Sequence, residues 1–231
     1  MNLFYSEDFQ GGTITFQDQE LQHLKVLRLE TGEIIHVIDG KGNLYEAKLM
    51  ELSKKMATAN ILKKETIAQS SKYYLHLAIA PTKSNDRIEF FLEKAIELGV
   101  NEVSFLKTER TEKKHLKPER MSKILLAACK QSKCYTFPIL NFDVSFEEIT
   151  KLQAQENKYI CHCLEKEEAE TTDSLKDGSY LILVGPEGDF SPSEIDAALE
   201  KKFMPLELGE SRLRTETAGI YVCAALRSNN I

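Results

Sequence analysis

Tyr180-Leu181-Ile182-Leu183-Val184-Gly185-Pro186-Glu187-Gly188-Asp189-Phe190 opens the stretch on which the fold turns, and that stretch runs on to Arg227. A short apolar run closed by glycine and proline reads as a buried strand ending in a sharp turn. Ser191-Pro192-Ser193-Glu194 has the spacing of a capping box, with a serine N-cap, proline at the first helical position and glutamate at the third. The helix it starts extends to about Lys202. The pattern then repeats: a strand Met204-Pro205-Leu206-Glu207-Leu208, a break at Gly209 and the loop Glu210-Ser211-Arg212-Leu213-Arg214. Thr215 follows as N-cap of a helix through Ala218, Val222 and Leu226. Two strand–loop–helix units in tandem imply parallel strands whose loops open at one edge of the sheet. Open α/β folds bind ligands at that edge.

A glycine turn before a helix usually suggests phosphate, because free N–H groups and the helix dipole attract anions. Here Glu187 and Asp189 stand in the first loop and would repel a pyrophosphate. Neither G-x-G-x-x-G nor the P-loop pattern is present. A neutral or cationic ligand suits this setting better, and S-adenosylmethionine, with its sulfonium, amino group and uncharged adenosine, is one. The same residues also fit two tight turns with capped helices and nothing bound.

Upstream, Tyr73 to Ala80 reads as a strand stopped by Pro81. Ile88, Phe91, Leu92, Ala95, Ile96 and Leu98 recur at helical spacing, Gly99 is the stop, and Val103 to Leu106 begins another strand. Strand, helix and strand make a right-handed parallel unit the default. A helix from about Pro118 to Ser132, a helix over Phe146 to Gln155 and a strand over Tyr159 to Leu164 complete this part. Cys161-His162-Cys163 invites a metal reading, but strand alternation puts His162 on the opposite face from both cysteines. No metal is expected, and the cysteines read as buried.

Ahead of this, Glu65 to Lys72 is polar and aperiodic, a linker. Residues 1–68 read as one domain and 73–231 as another. The first carries short strands at Leu3 to Tyr5, Thr13 to Phe16, Glu33 to Asp39, Leu44 to Leu52 and Ala57 to Leu62. Asp18 is placed to cap a helix bearing Leu21, Leu24 and Leu27. Closely spaced strands with glycine turns suggest a small barrel.

Net charge is −6 over 231 residues, which argues against a strongly basic RNA-coating protein. The charge is segregated, however: Lys107, Arg110, Lys113, Lys114, Lys117, Arg120, Lys123, Lys130 and Lys133 face only Glu109, Glu112 and Glu119 over that span. Such a row can neutralise phosphates, or can simply be a solvated face. At 42% hydrophobic residues the chain can bury a core. No apolar run is long enough for a bilayer, no signal peptide is visible, and five cysteines suit a reducing compartment. A cytoplasmic protein is expected.

Gly185-Pro186-Glu187-Gly188, Leu208-Gly209 and Leu213-Arg214-Thr215-Glu216-Thr217-Ala218 together resemble the signature of the RsmE-type small-subunit ribosomal RNA uridine-N3 methyltransferases, of the SPOUT class. His23-Leu24, Val26-Leu27-Arg28, Lys83, Glu93-Lys94, Glu97-Leu98-Gly99 and Lys130-Gln131-Ser132-Lys133 are similar to other elements of that family. The resemblance spans nearly the whole chain. Two places depart from it: Asp189 stands where a second glycine is common, and Glu210-Ser211-Arg212 replaces a proline-arginine-aliphatic run.

The resemblance implies an α/β domain with a C-terminal trefoil knot, preceded by a PUA-like β-barrel, and a homodimer. It implies S-adenosylmethionine held by Leu183, Val184, Gly185, Pro186, Glu187, Gly188, Leu208, Gly209, Ser211, Leu213, Arg214, Thr215, Thr217 and Ala218. His23, Arg28, Lys83, Arg110, Lys114, Lys130 and Lys133 would face 16S ribosomal RNA, free or in the small subunit. For His23 and Arg28 a polar helix cap is the simpler alternative. N3 of neutral uracil carries a proton, so the reaction needs a base or a stabilised carbonyl oxygen. Arg214 is the candidate stabiliser and Glu216 the candidate base, with Glu187 second. Glu216 would otherwise serve as N-terminal charge for the last helix. Two other readings stay open: an RNA-binding module without catalysis, and a nucleotide-dependent α/β enzyme of another kind.

Overall fold

A computed structural model describes residues 2–68, 71–112, 115–163 and 169–230. The chain divides into two units, residues 1–70 with 129–137, and residues 71–128 with 138–231. In the first, β1 (Leu3–Tyr5), β2 (Phe9–Gln10), β3 (Thr13–Phe16), α1 (Asp18–Val26), β4 (Ile34–Ile38), β5 (Asn43–Leu52) and β6 (Ala57–Thr66) follow in order. Their sheet runs β1-β4-β5-β6-β3-β2. Alternation sends Ile35, Val37, Tyr45, Ala47, Leu49, Ala57 and Ala59 to one face, where Phe4, Phe16 and Leu24 complete the core. Ser6 ties the curled sheet together: its N–H donates to Ile38 O (3.3 Å) and its Oγ to Thr15 O (2.7 Å).

Two local expectations fail here. Asp18 does not cap α1: Gln17 occupies the N-cap in extended conformation without a side-chain bond, and Asp18 is the first helical residue at φ 46°. The linker also starts later than Glu65. β6 continues to Thr66 because β5 offers it a partner as far back as Asn43, and Thr66 Oγ1 donates to Asn43 Oδ1 (2.8 Å). Residues 129–137 belong to this unit through backbone bonds from Gly42 N to Tyr135 O (2.9 Å) and from Phe137 N to Gly40 O (2.9 Å).

The second unit continues with β7 (Tyr73–Ile79), α2 (Asn85–Glu97), β8 (Glu102–Lys107), α3 (Pro118–Ser132), β9 (Ile139–Ser145), α4 (Phe146–Thr150) and β10 (Asn157–Cys161). Then come β11 (Glu170–Thr171), β12 (Gly178–Val184), α5 (Pro192–Glu200), β13 (Met204–Glu207) and α6 (Thr215–Ser228). The sheet order is β11-β13-β10-β12-β7-β8-β9, and every pairing is parallel. β12 is thus inserted between β7 and β10. β9 was not expected from the sequence. The helix beginning at Phe146 stops at Thr150, not Gln155, although Ser145 and Glu148 form a capping box at its start. β10 ends at Cys161, so Cys163 lies beyond the strand and is exposed; Leu164 lies outside the described residues.

Helices cover both faces of this sheet. Ile149 of α4 and Ile195 and Ala198 of α5 bury against Ala78, Leu181 and Leu183 on one side. The alternate residues face α6, which packs chiefly on α2. α2 buries Ile88, Phe91, Leu92, Ala95 and Ile96, the positions its periodicity marked. Gly219 sets how close α6 comes: a Cβ there would stand 2.6 Å from the Phe91 ring and 2.9 Å from Ile79 Cδ1. No helix among the described residues is long and apolar enough to cross a membrane.

A buried polar cluster interrupts the α4–α5 face. His76 Nε2 and Ser104 Oγ lie 2.7 Å apart. Asn141 Nδ2 donates to Glu102 Oε1 (2.7 Å), and Tyr74 OH donates to Glu102 Oε2 (2.8 Å). Burial holds the His76 pKa below its ordinary value, opposed in part by Glu102. Burial and the Glu102 carboxylate push Tyr74 up to about 12.

Two outcomes follow from this packing. Gly219→Ala should destabilise the fold by about 1–3 kcal/mol through overpacking of Phe91 and Ile79, measured by chemical denaturation. Because His76 is depressed in the folded state, the unfolded chain takes up that proton first as pH falls through about 6.5. Stability should therefore be lower at pH 5.5 than at pH 7.5, and His76→Gln should shrink that difference.

Candidate active site

β12 and β13 flank β10 in parallel, so their C-terminal ends, Val184 and Glu207, lie at one edge of the sheet. The loops leaving them enclose a cavity of about 690 Å³. Of the expected donor-binding residues, Val184, Gly185, Pro186, Glu187, Leu208, Gly209, Ser211, Leu213, Arg214, Thr215 and Ala218 line it. Leu183 does not; it is fully buried in the core. Gly188 turns outward against Arg110, and Thr217 is exposed on α6 without lining the cavity.

A buried side-chain bond joins the two loops. Thr215 was expected as the N-cap of α6, but Arg214 holds that position in extended conformation and Thr215 is the first helical residue. Its Oγ1, freed from capping, donates to Gly185 O at 3.0 Å in a buried bond. Gly185 is closely packed, since a Cβ there would stand 3.1 Å from the Phe190 ring and 3.2 Å from Phe190 N. Gly209 bends the second loop at φ +104°, a region that favours glycine.

Further ties hold the first loop in place. Arg110 Nη1 donates to Gly188 O (2.8 Å) and Phe190 O (3.3 Å). The Lys83 N–H donates to Glu187 Oε1 (3.0 Å), and Arg212 Nη2 donates to Glu187 O (3.4 Å). The capping box read from Ser191 and Glu194 is present and starts α5 with Pro192 in the first turn.

The third wall was missed in the sequence. Cys161, His162 and Cys163 all line the cavity, so the argument from strand alternation does not apply to them. The strand itself was read from the sequence, but its place beside the cavity was not, because β10 is positioned by partners β12 and β13 that come later in the chain. The Cys163 thiol pKa is raised by burial and by Asp189, with Arg212 opposing. The cavity wall carries Glu187, Asp189, Glu207 and Glu210 against Arg212 and Arg214. That balance favours a cationic occupant.

Arg214 lies on the wall, and among the described residues its guanidinium makes no hydrogen bond or ion pair. Glu216 is not on the wall. It is buried, with Oε1 3.7 Å from Arg87 Nε and Oε2 lacking a hydrogen-bond partner among the described residues. Arg87 carried no sequence signal for this pairing.

The residues expected to face RNA are engaged to different degrees. Lys83 Nζ pairs with Glu112 (2.8 Å) and Arg110 is spent on the loop. Lys130 Nζ pairs with Glu20 (2.7 Å) and approaches His23 Nδ1 (3.1 Å), while the His23 ring packs on Phe4 at 4.8 Å. Arg28 and Lys133 are exposed, each at positive φ (54° and 58°). Lys114 lies outside the described residues.

The profile described as RNA methyltransferase domain matches residues 69–227, and that described as RNA methyltransferase PUA domain matches residues 16–62. The ribosomal RNA small subunit methyltransferase E of Synechocystis sp. is 30% identical, covering 96% of this chain and 75% of that protein. The chain belongs to the ribosomal RNA small subunit methyltransferase E family. A member from Buchnera aphidicola is 27% identical over 98% of this chain and 92% of its own. Among solved structures, a probable rRNA-methyltransferase from Porphyromonas gingivalis aligns with TM-score 0.92 at 34% identity, covering 100% of this chain and 98% of that one. The methyltransferase E of Neisseria gonorrhoeae, solved bound to S-adenosyl methionine, aligns with TM-score 0.87 at 30% identity, covering 99% and 97%.

If the Thr215 hydroxyl holds the loops of this family member together, Thr215→Val should lower stability by about 1–3 kcal/mol, since Gly185 O is left buried and unpaired. Thr215→Ser should keep most of it. Denaturation midpoints of the three proteins would decide the matter.

Proposed function

We propose that this protein transfers a methyl group from S-adenosylmethionine to N3 of a uridine in 16S ribosomal RNA of the small subunit. The observation that carries the reading is the cavity built from two bonded loops, acidic on its wall, where among the described residues the Arg214 guanidinium makes no hydrogen bond or ion pair. Its volume suits a ligand of this size, since pockets for small molecules run from about 300 to 1,000 Å³. Backbone groups of 184–187 and 208–215 would hold the adenosine moiety, and the acidic wall would favour the cationic end. When bound, the donor supplies an electrophilic methyl on sulfur.

The chain's own residues then have two tasks. The loops must hold the donor so that the uracil nitrogen approaches in line with the methyl–sulfur bond, and such orientation can contribute several kcal/mol, up to about 7–11, to lowering the barrier. Arg214 stabilises the negative charge that develops on a uracil carbonyl oxygen as N3 loses its proton. Glu216 as base would require its carboxylate to leave Arg87, which supports a packing role instead. The target base must be unpaired or splayed out, because pairing masks N3.

The N-terminal unit serves in this reading as an RNA-binding platform of the PUA type, with exposed Arg28 nearest to a free phosphate contact. The reading also includes a homodimer, supported by Phe90 and Tyr221 being about half exposed on the adjacent helices α2 and α6 (52% and 42%). A knotted C-terminal segment and a cytoplasmic location belong to the same proposal.

Transfer of labelled methyl to undermodified small subunits and to naked 16S RNA tests it. Wild-type protein should label N3 of one uridine, and Arg214→Ala should lose about 10²–10³ in rate. Glu216→Gln should stay within about tenfold of wild type, a smaller effect than loss of a general base brings. Full turnover by Arg214→Ala would remove the catalytic assignment.

A further inference from the structure

We propose that Asp189 is a positioning residue for the methyl donor: its carboxylate ties the Cys161–Cys163 wall to the Pro186–Phe190 loop, and the cavity keeps its donor-binding shape while that tie is made. The inference rests on the donor site proposed above and deepens it.

Asp189 sits at φ +63°, a left-handed conformation that favours glycine and costs an aspartate backbone strain. What the side chain does there offsets that cost. Its Oδ2 accepts the Cys163 N–H at 2.9 Å and its Oδ1 accepts the Phe190 N–H at 2.7 Å. Its own N–H donates to Pro186 O at 2.9 Å, closing the turn. One residue therefore fastens the loop to itself and to a segment 26 positions earlier.

The ladder holding β10 ends at Cys161, opposite Val184. Two residues further on, the Asp189 carboxylate takes over the task. Both Cys163 and Asp189 line the cavity, so the tie sets the distance between two of its walls. Among the described residues Asp189 makes no ion pair. Each of its oxygens accepts one backbone N–H, Oδ2 from Cys163 and Oδ1 from Phe190, so the carboxylate acts on the wall it holds; comparing a charged with an uncharged ligand separates this from direct charge recognition. Charge-assisted bonds of this kind are about twice as strong as neutral ones.

The test measures affinity and stability side by side. Wild type, Asp189→Gly and Asp189→Asn are titrated calorimetrically with S-adenosylmethionine and with S-adenosylhomocysteine, which lacks the positive sulfur, and each protein's denaturation midpoint is recorded. Asp189→Gly should bind both ligands about tenfold more weakly, while its midpoint stays near the wild-type value because relief of the left-handed strain offsets the lost bonds. Asp189→Asn keeps an acceptor oxygen and tolerates the left-handed backbone, so its loss should be smaller, roughly threefold. Wild-type affinity of Asp189→Gly for both ligands would overturn the proposal. So would a loss confined to S-adenosylmethionine, which would mark direct charge recognition, or a loss matched by a fallen midpoint, which would mark general damage. Failure of the wild type to bind either ligand would overturn the donor reading and this inference with it.

Discussion

The hydroxyl of Thr215 crosses from the first residue of α6 to the carbonyl oxygen of Gly185, 30 positions earlier, and the bond is buried. Apart from the longer, exposed bond from Arg212 Nη2 to Glu187 O (3.4 Å), it is the side-chain link between two turns at the end of a sheet. With it, the loop after β12 and the loop after β13 share one wall, and the entry angle of α6 is fixed. That angle matters further along the helix, where Gly219 lets α6 rest on Phe91 and Ile79 at a distance no side chain would permit. At the far end, Asn229 Nδ2 donates to Thr172 O (2.8 Å) and Leu175 O (3.0 Å), so the helix is anchored at its start, middle and finish.

The cavity owes its shape largely to main chain, and that explains how its charged residues are used. Arg110 and Glu187 read as ligand contacts in the sequence, and Asp189 as a charge that would repel phosphate. In the fold each bonds to backbone: Arg110 to Gly188 and Phe190, Glu187 to Lys83, and Asp189 to Cys163 and Phe190. Loops have no ladder to brace them, so their exposed N–H and C=O groups need side-chain partners. Arg214 differs from these: among the described residues its guanidinium makes no hydrogen bond or ion pair.

The parallel core and the edge bearing the site were legible because apolar runs broken by glycine and proline are local signals. The capping box at Ser191 and Glu194 was legible for the same reason. Thr215 was misread because its hydroxyl answers a group far away in sequence, and a serine or threonine before a helix looks like a cap by default. β9 carried a signal that was not read, since Leu140, Phe142 and Val144 alternate with Asn141, Asp143 and Ser145 at strand period, although Asp143 stands at φ 58°. The Cys161–Cys163 wall escaped because β10 gains its partners only from later strands. Lys130 read as a phosphate contact because charge in a row carries no hint of a partner such as Glu20, 110 residues away.

Insertion of β12 between β7 and β10 has a consequence for how the chain is made. During synthesis β10 emerges before either of its neighbours exists, since β12 and β13 both follow it. Until residues 178–207 leave the ribosome, β7 and β10 each present an unpaired edge, the kind of surface that recruits foreign strands. A nascent chain cut short before this point has no second half-sheet to close upon. Such truncated products are the species that chaperones and proteases would have to clear.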